Sequence, residues 1–493
     1  VKIPLTGGAY QARSVIASAQ RCLNLYVEPQ PPQDGEPMPA AHYPTPGLRL
    51  FASVTGGPVR ALRQASNSNI YFVAGQGVYR LLQPTPAHLG DITPGLTTQV
   101  SMADNGIDML IVDGSSGGWS IHLADDTFAP ITDPNFFGAD RVDYIDTYFV
   151  LNRPGTQQMY WSGALALTFD ALDVASKSAA ADLLVTLVVA KKEIILVGER
   201  TTEIFYDAAV IDPTTGFLLS QFASVQGVFI DYGTAARYSV AGNDNSAFFL
   251  SRDRTGKGIV LMVAGYTGKR ISTFAIEDAI RRYPRIDDAI GFCYQIGGHI
   301  FYVLTFPAAD HTWVYDLLTG EWHEWAWVDG NGVEHAHRAV CAYPSAAGLL
   351  AGDRQYGNIY TLDPDVHNDA GWQIKRERSF PHLISEARRI FYREFLADME
   401  TGTGPSIDAR DNLVGLSWSD DRGKHFGNPV PVSFGGLGNS QTSLQWQRLG
   451  MARDRVFKLT WSIDAPCALQ GAWITFDLGD DPNPAPKQSR QTT

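Results

Sequence analysis

Cysteine is scarce in this chain of 493 residues: there are four, Cys22, Cys293, Cys341 and Cys467, each standing alone. Isolated cysteines among apolar or small neighbours exclude the paired spacing of a zinc site or a redox dithiol, and they read as buried free thiols. Long apolar runs are missing as well. The longest, Leu183–Ala190 between Asp182 and Lys191, has the length of a strand and falls far short of a membrane span, so no membrane insertion is expected. Residues Val1–Gln20 hold no apolar core of the signal-peptide kind, and export by that route is not expected. Cations are in deficit, with 39 Lys and Arg against 52 Asp and Glu and a formal charge of −13. That balance excludes a protein that wraps tightly around nucleic acid, because such wrapping needs Lys and Arg to neutralise phosphates. It is compatible with a wall along which DNA slides, since an acidic surface repels the backbone. Amphipathic helical patterns are nearly absent. One helix is predicted over Phe274–Tyr283, with Thr273 as N-cap and Pro284 as its stop. No nucleophile elbow, P-loop or dinucleotide fingerprint occurs, and no carboxylate pair has a spacing that singles it out. No catalytic, cofactor-binding or metal residue is therefore assigned, and the chain reads as non-enzymatic.

What the chain does have is glycine, 47 residues of it, together with 28 prolines and an aromatic content of 11%. These punctuate a strand pattern that recurs about every 40–55 residues, the period of a β-propeller. One copy runs Ile70–Leu82, a second Asp108–Gly114 then Trp119–Leu123, and a third Glu193–Gly198 then Thr202–Tyr206. The clearest is His299–Thr305, Thr312–Asp316 and Thr319–Trp325, and the last is Gly348–Asp353 then Gly357–Leu362. A fainter copy at Tyr144–Leu151 leaves the count at six or seven blades, and Phe169–Asp182 breaks the rhythm as an insertion would. The expected fold class is all-β.

Four domains are expected. Residues 1–55 form a Pro-rich, extended N-terminal arm, because proline excludes central sheet. Residues 56–372 carry the blades. Residues 373–479 change rhythm and alternate as antiparallel strands of a β-sandwich do, for example in Arg389–Met399, Gly415–Ser419 and Val456–Trp461. Residues 480–493 form a polar, flexible tail.

Four motifs have the residue types of a functional site. Ser419, Asp421, Gly423 and Phe426 match the Asp-box, in which the carboxylate accepts turn N–H groups, glycine supplies positive φ and the aromatic packs beneath. Sialidases carry several such boxes, so a glycan-binding or glycan-cleaving propeller is the alternative function. A single box outside the repeats favours a structural hairpin. Trp322–Trp327 alternates as a packed strand does, with an exposed aromatic contact surface as the lesser reading. His335 and His337 share one side of a strand but lack an assignable third metal ligand. Ser251–Gly258 is basic and Gly-rich without P-loop spacing, and reads as a solvated turn.

Arg21–Tyr26, Pro44–Leu48, Leu396–Gly404, Leu416–Phe426, Trp446–Gly450 and Phe457–Leu459, in this order, resemble the packaged-DNA stabilisation proteins of short-tailed bacteriophages, which are tail hub or nozzle proteins. The resemblance spans nearly the whole chain. It implies a structural virion protein, assembled in the host cytoplasm as a homo-hexamer below the portal and adaptor ring. Such a ring extends the DNA channel, helps to retain packaged DNA, and carries tail fibres or tailspikes and a tail needle or plug. Double-stranded DNA would pass without sequence-specific binding, and no cofactor is implied. The sequence departs from the family in a longer, Pro-richer arm and an extra polar tail. Within the arm, Leu23, Leu25, Tyr26 and Val27 form an apolar patch expected to dock on an adjacent subunit or the adaptor. The competing expectation is that the arm closes the propeller by supplying an edge strand.

Overall fold

A computed structural model describes residues 2–4, 12–29, 40–83, 85–211, 214, 218–243, 245–385, 388–403, 412–440 and 442–479. The chain divides into two compact units, one of Leu48–Val314 with His335–Asp363, the other of Val1–Gly47, Tyr315–Glu334 and Pro364–Thr493.

The first unit is a propeller of seven antiparallel sheets among the described residues. The innermost strands are Val59–Gln64, Ser101–Asp104, Val142–Ile145, Leu184–Ala190, Ala241–Asn243, Ile290–Ile296 and Ala339–Ser345. Each lies beside the next in this order, and the seventh returns to the first, so the ring is closed. Apolar clusters sit between successive sheets. Tyr71, Val73, Met109 and Ile111 join the first two blades, and Val188, Val197, Phe249 and Leu261 join the fourth and fifth. A strand buried on both faces loses its polar alternation, which is why Ile70–Ala74 and Asp108–Val112 read as short continuous apolar runs. The last blade takes its outer strand from the start of the chain. Gly47–Val54 pairs with Gly357–Asp363, and Ala52 joins Val59, Phe72, Leu350 and Ile359 in the cluster between the last blade and the first.

The second unit is a β-sandwich. One sheet runs Leu25–Pro29, Ala40–Pro44, Leu469–Leu478, Ile390–Met399 and Leu444–Ala452, with Lys2–Pro4 also paired to Leu469–Leu478. The facing strands are Cys22–Leu23, Arg376–Ser379, Asp454–Trp461, Leu413–Ser419 and Val430–Ser433. Between them lie Leu25, Phe395, Trp446, Phe457, Leu459, Trp461 and Ile474, all buried. Inward and outward residues alternate along Ile390–Met399 with one bulge between Tyr392 and Glu394, as a sheet with one wet face requires.

Three readings of the sequence change. The described part of residues 1–55 does not stand apart as an arm: it supplies strands to both sheets of the sandwich and then the closing strand of the propeller. The Pro-rich residues 30–39 lie outside the described residues, as does the tail 480–493. Nor is Phe169–Asp182 an insertion: Phe169–Ser176 is the outer strand of the third blade, with one buried residue, so it lost the apolar pattern that marks inner strands. Tyr144–Leu151 is a full part of that same blade. The helix spans Phe274–Arg281, with the Thr273 hydroxyl accepting the Ile276 N–H at 3.4 Å. All four cysteines are free; Cys22 and Cys467 are buried, whereas Cys293 and Cys341 are only half-buried.

Candidate functional site

The segment Arg21–Val27 is the knot of the sandwich unit. Cys22 and Leu23 pair antiparallel with Arg378 and Glu377, and Leu23 pairs in parallel with Glu324. Asn24 then turns into the left-handed region at φ 54°, which asparagine tolerates better than other side chains. Buried there, its amide donates to the Ala326 carbonyl at 2.9 Å and the Lys375 carbonyl at 2.8 Å, and it accepts the Ala326 N–H at 2.8 Å. The side chain thereby acts as a short piece of backbone stitched between three segments that are distant in sequence.

Around this stitch the charges alternate. Arg21 holds Glu324 through both carboxylate oxygens, at 2.9 and 2.5 Å, and Glu334 at 2.8 Å. Lys375 closes on Glu334 at 2.6 Å, and Lys375 and Lys458 approach Glu377 at 3.7 and 3.6 Å. Burial pushes the Glu334 carboxyl up, but Arg21 and Lys375 outweigh it and bring the group down to about 2. Bidentate arginine–carboxylate pairing is geometrically specific as well as strong. The arrangement clamps chain segments together; its ionisable groups are all spent on one another.

The sequence-assigned contact residues fall in this knot. Leu23 and Leu25 are fully buried within the chain, Val27 is buried, and Tyr26 is half-buried against Tyr43, their ring centroids 5.9 Å apart. The apolar patch read as a docking surface is taken up by the chain's own sandwich, because Leu23 and Leu25 lie between sheet strands.

The Asp-box residues come together as a turn. Ser419 donates to Asp421 at 2.6 Å and accepts the Gly423 N–H at 2.8 Å, while Asp421 accepts the His425 N–H at 2.9 Å. The Ser419 hydroxyl and the His425 N–H hold the Asp421 carboxyl well below the usual range. Gly423 sits at φ +82° with no room for a side chain, since a Cβ would lie 2.7 Å from that of Ala19. Phe426 is half-buried, and the Lys458 ammonium lies 4.4 Å above its ring. Asp421 is consumed by its own turn.

Behind the hairpin lies a residue that sequence reasoning missed. Arg455, almost wholly buried, grips Asp420 at 2.5 and 2.7 Å and sits over the rings of Tyr392, Trp418 and Phe457. In the propeller, Lys177 was missed likewise. It is fully buried, bonds Asp182 and Thr201, and lies 3.9 Å from Glu203. No local motif marks either cluster, because Asp182 and Phe457 are near Lys177 and Arg455 in sequence but Thr201, Glu203, Asp420, Trp418 and Tyr392 reach them only through the fold.

Elsewhere the motifs are structural. Trp322, His323, Glu324 and Trp325 are buried, with Glu324 serving Arg21. His335 pairs with Asp310 at 2.5 Å; His337 is buried and accepts the Ala339 N–H at 3.1 Å. Burial, then Arg338 and Arg354, drive the His337 pKa well down. Among the described residues no cluster of three or more His, Cys, Asp or Glu could hold a metal. Asp253 folds Ser251–Gly258 by accepting the Thr255 and Lys257 N–H groups at 2.8 and 2.9 Å, an exposed turn.

Comparison with known proteins agrees with this architecture. Residues 1–367 match the family described as bacteriophage P22 Gp10, beta-propeller, and residues 375–477 match bacteriophage P22 Gp10, beta-sandwich. Among solved structures, the WD40 beta propeller domain of Doa1 is similar over 64% of this chain and 98% of its own, at 9% identity and a TM-score of 0.40. No curated protein matches the chain. A propeller and a sandwich in the same order, each matched to its counterpart, place this chain in the bacteriophage P22 Gp10 family of phage stabilisation proteins, structural proteins of the virion.

Proposed function

We propose that this protein is a nozzle subunit of a short phage tail. Six copies form a ring below the portal and adaptor, extend the DNA channel, help to hold packaged DNA, and anchor tail fibres or tailspikes and a needle or plug. The observation that carries this reading is the match to both domains of the P22 Gp10 family. Charge supports it: at −13 per chain, six copies would carry on the order of −80, a conduit to which DNA does not adhere. The protein acts without catalysis in this reading. A glycosidase of the common kind needs two carboxylates across a pocket, about 5–10 Å apart, and Asp421, which raised that alternative, is bound up in its turn.

Subunit contacts in this reading use surfaces other than Leu23 and Leu25, which would have to leave the sandwich core to reach a neighbour. The test is assembly. Full-length protein mixed with portal and adaptor rings should give six copies per particle by mass measurement and a closed ring by negative stain. A protein that stays monomeric and does not bind the adaptor would overturn the proposal. Glycan hydrolysis lost on one carboxylate substitution would restore the enzyme reading.

A further inference from the structure

The axis of the propeller holds a cavity of about 290 Å³ between the innermost strands. Its charged lining is Arg60, Arg63, Arg141 and Arg237 against a single carboxylate, Asp140. That is the reverse of the chain as a whole, which carries a charge of −13.

Each arginine is held differently. Arg237 is paired with Asp140 at 2.6 Å. Arg60, about 1% exposed, donates to the Thr98 and Gly75 carbonyls at 2.6 and 2.8 Å and to the Thr98 hydroxyl at 3.3 Å, with the Asp113 carboxylate acting on it without a direct bond. Arg63 donates to the Met102 carbonyl at 2.9 Å, with Asp104 no nearer than 3.6 Å. Arg141 is half-buried; its Nε is sealed from solvent without a hydrogen-bond partner, and its guanidinium makes no ion pair among the described residues. The carboxylate that acts on it, Asp143, spends its oxygens on the N–H groups of Tyr144 and Val189, at 3.0 and 2.9 Å. Burial lowers the Arg141 pKa, Asp143 opposes this, and Arg63 adds to the lowering as a like charge.

Arginine does not shed its proton in proteins. Carboxylates stand near three of the four, Asp140 bonded to Arg237, Asp104 3.6 Å from Arg63 and Asp113 acting on Arg60. Arg141 alone, half-buried at the cavity wall, has no direct bond to a carboxylate among the described residues, so its guanidinium is the group left to take an anion. We infer that the axial cavity of this propeller is a binding site for a small tetrahedral oxyanion of the phosphate class, with Arg141 as its principal ligand and Arg63 and Arg60 beside it. The arginines reach the cavity from the first, third and fifth blades, so donors converge from several directions. Four tetrahedral oxygens can meet such donors, whereas a planar carboxylate presents two in one plane. The volume far exceeds the roughly 10–15 Å³ that a single water needs, yet a cavity of 290 Å³ excludes duplex DNA. The inference stands apart from the nozzle reading, since it concerns the interior of one propeller.

The test is thermal unfolding and titration calorimetry of the full chain with inorganic phosphate, at constant ionic strength, with acetate and chloride as comparison anions. A ligand that binds only the folded state raises its stability in proportion to the logarithm of occupancy. Phosphate should raise the midpoint saturably, with one ion bound per chain, and acetate should do so at least tenfold more weakly. Arg141→Met should leave the midpoint without phosphate nearly unchanged, because the half-buried guanidinium makes no direct bond in the described structure, and should abolish the phosphate response. Should Arg141→Met fail to fold by circular dichroism, Arg63→Gln is titrated instead and should weaken phosphate binding at least tenfold. Equal midpoints in phosphate and chloride, or a phosphate response unchanged in the folded variant, would overturn the inference.

Discussion

Asn24 does two things that one substitution can separate. Its amide closes three hydrogen bonds in a buried place, and its backbone sits at φ 54°. Alanine there would leave buried backbone groups of Ala326 and Lys375 unpaired and strain the left-handed turn, at a cost of about 3 kcal/mol or more. Glycine loses the bonds but not the backbone freedom. In denaturant unfolding, Asn24→Ala should therefore be less stable than Asn24→Gly by about 1 kcal/mol, and both less stable than the parent. Equal stabilities would mean the backbone conformation contributes nothing. Glu334 makes the same knot sensitive to acid. Its folded pKa, about 2, lies below its ordinary 4.5, so its contribution is present above about 4.5 and is lost as pH falls towards 2. Midpoints measured from pH 6 to pH 2 should fall less steeply for Glu334→Gln than for the parent over that window. Parallel curves would remove Arg21 and Lys375 from the account of acid stability. Arg21 and Asn24 were legible in the sequence only as part of the family-resembling string Arg21–Tyr26. Their roles were not, because Ala326, Glu334 and Lys375 lie some 300 residues or more further along.

At the scale of elements, the strand Gly47–Val54 decides how the propeller closes. It reaches the last blade beside Gly357, where a Cβ would lie 2.4 Å from the Val54 carbonyl oxygen. Gly357→Ala should push that strand away and destabilise the protein by about 1–3 kcal/mol, the usual cost of overpacking. Amide hydrogen exchange should quicken at 48–54 before it quickens in the inner strands. Unchanged protection at those residues would show that the closing strand can shift without loss. Inner strands were the easiest elements to read, since burial on both faces leaves an apolar run framed by turns. Outer strands such as Phe169–Ser176 were the hardest: half-exposed, they carry little apolar signal, and pairing defines them.

For the whole molecule, the formal charge of −13 allows a direct check of the conduit idea. Purified protein should fail to retard duplex DNA in a gel even at low salt, where electrostatic binding is strongest. Retardation that weakens steeply with added salt would contradict a non-adhering wall. The mostly β class, the propeller followed by a sandwich, the short helix at Phe274–Arg281 and the free cysteines were determined by the sequence alone. They follow from local rules, namely strand period, turn residues, capping and cysteine spacing, that need no knowledge of distant partners. The tertiary structure alone decided that the described part of residues 1–55 supplies strands of the sandwich and the clasp of the propeller, and that Leu23 and Leu25 are buried. It alone gathered arginines from three blades at one axis. Those outcomes depend on which segments meet after folding, and a strand's sequence records its own burial but not the identity of the strand beside it.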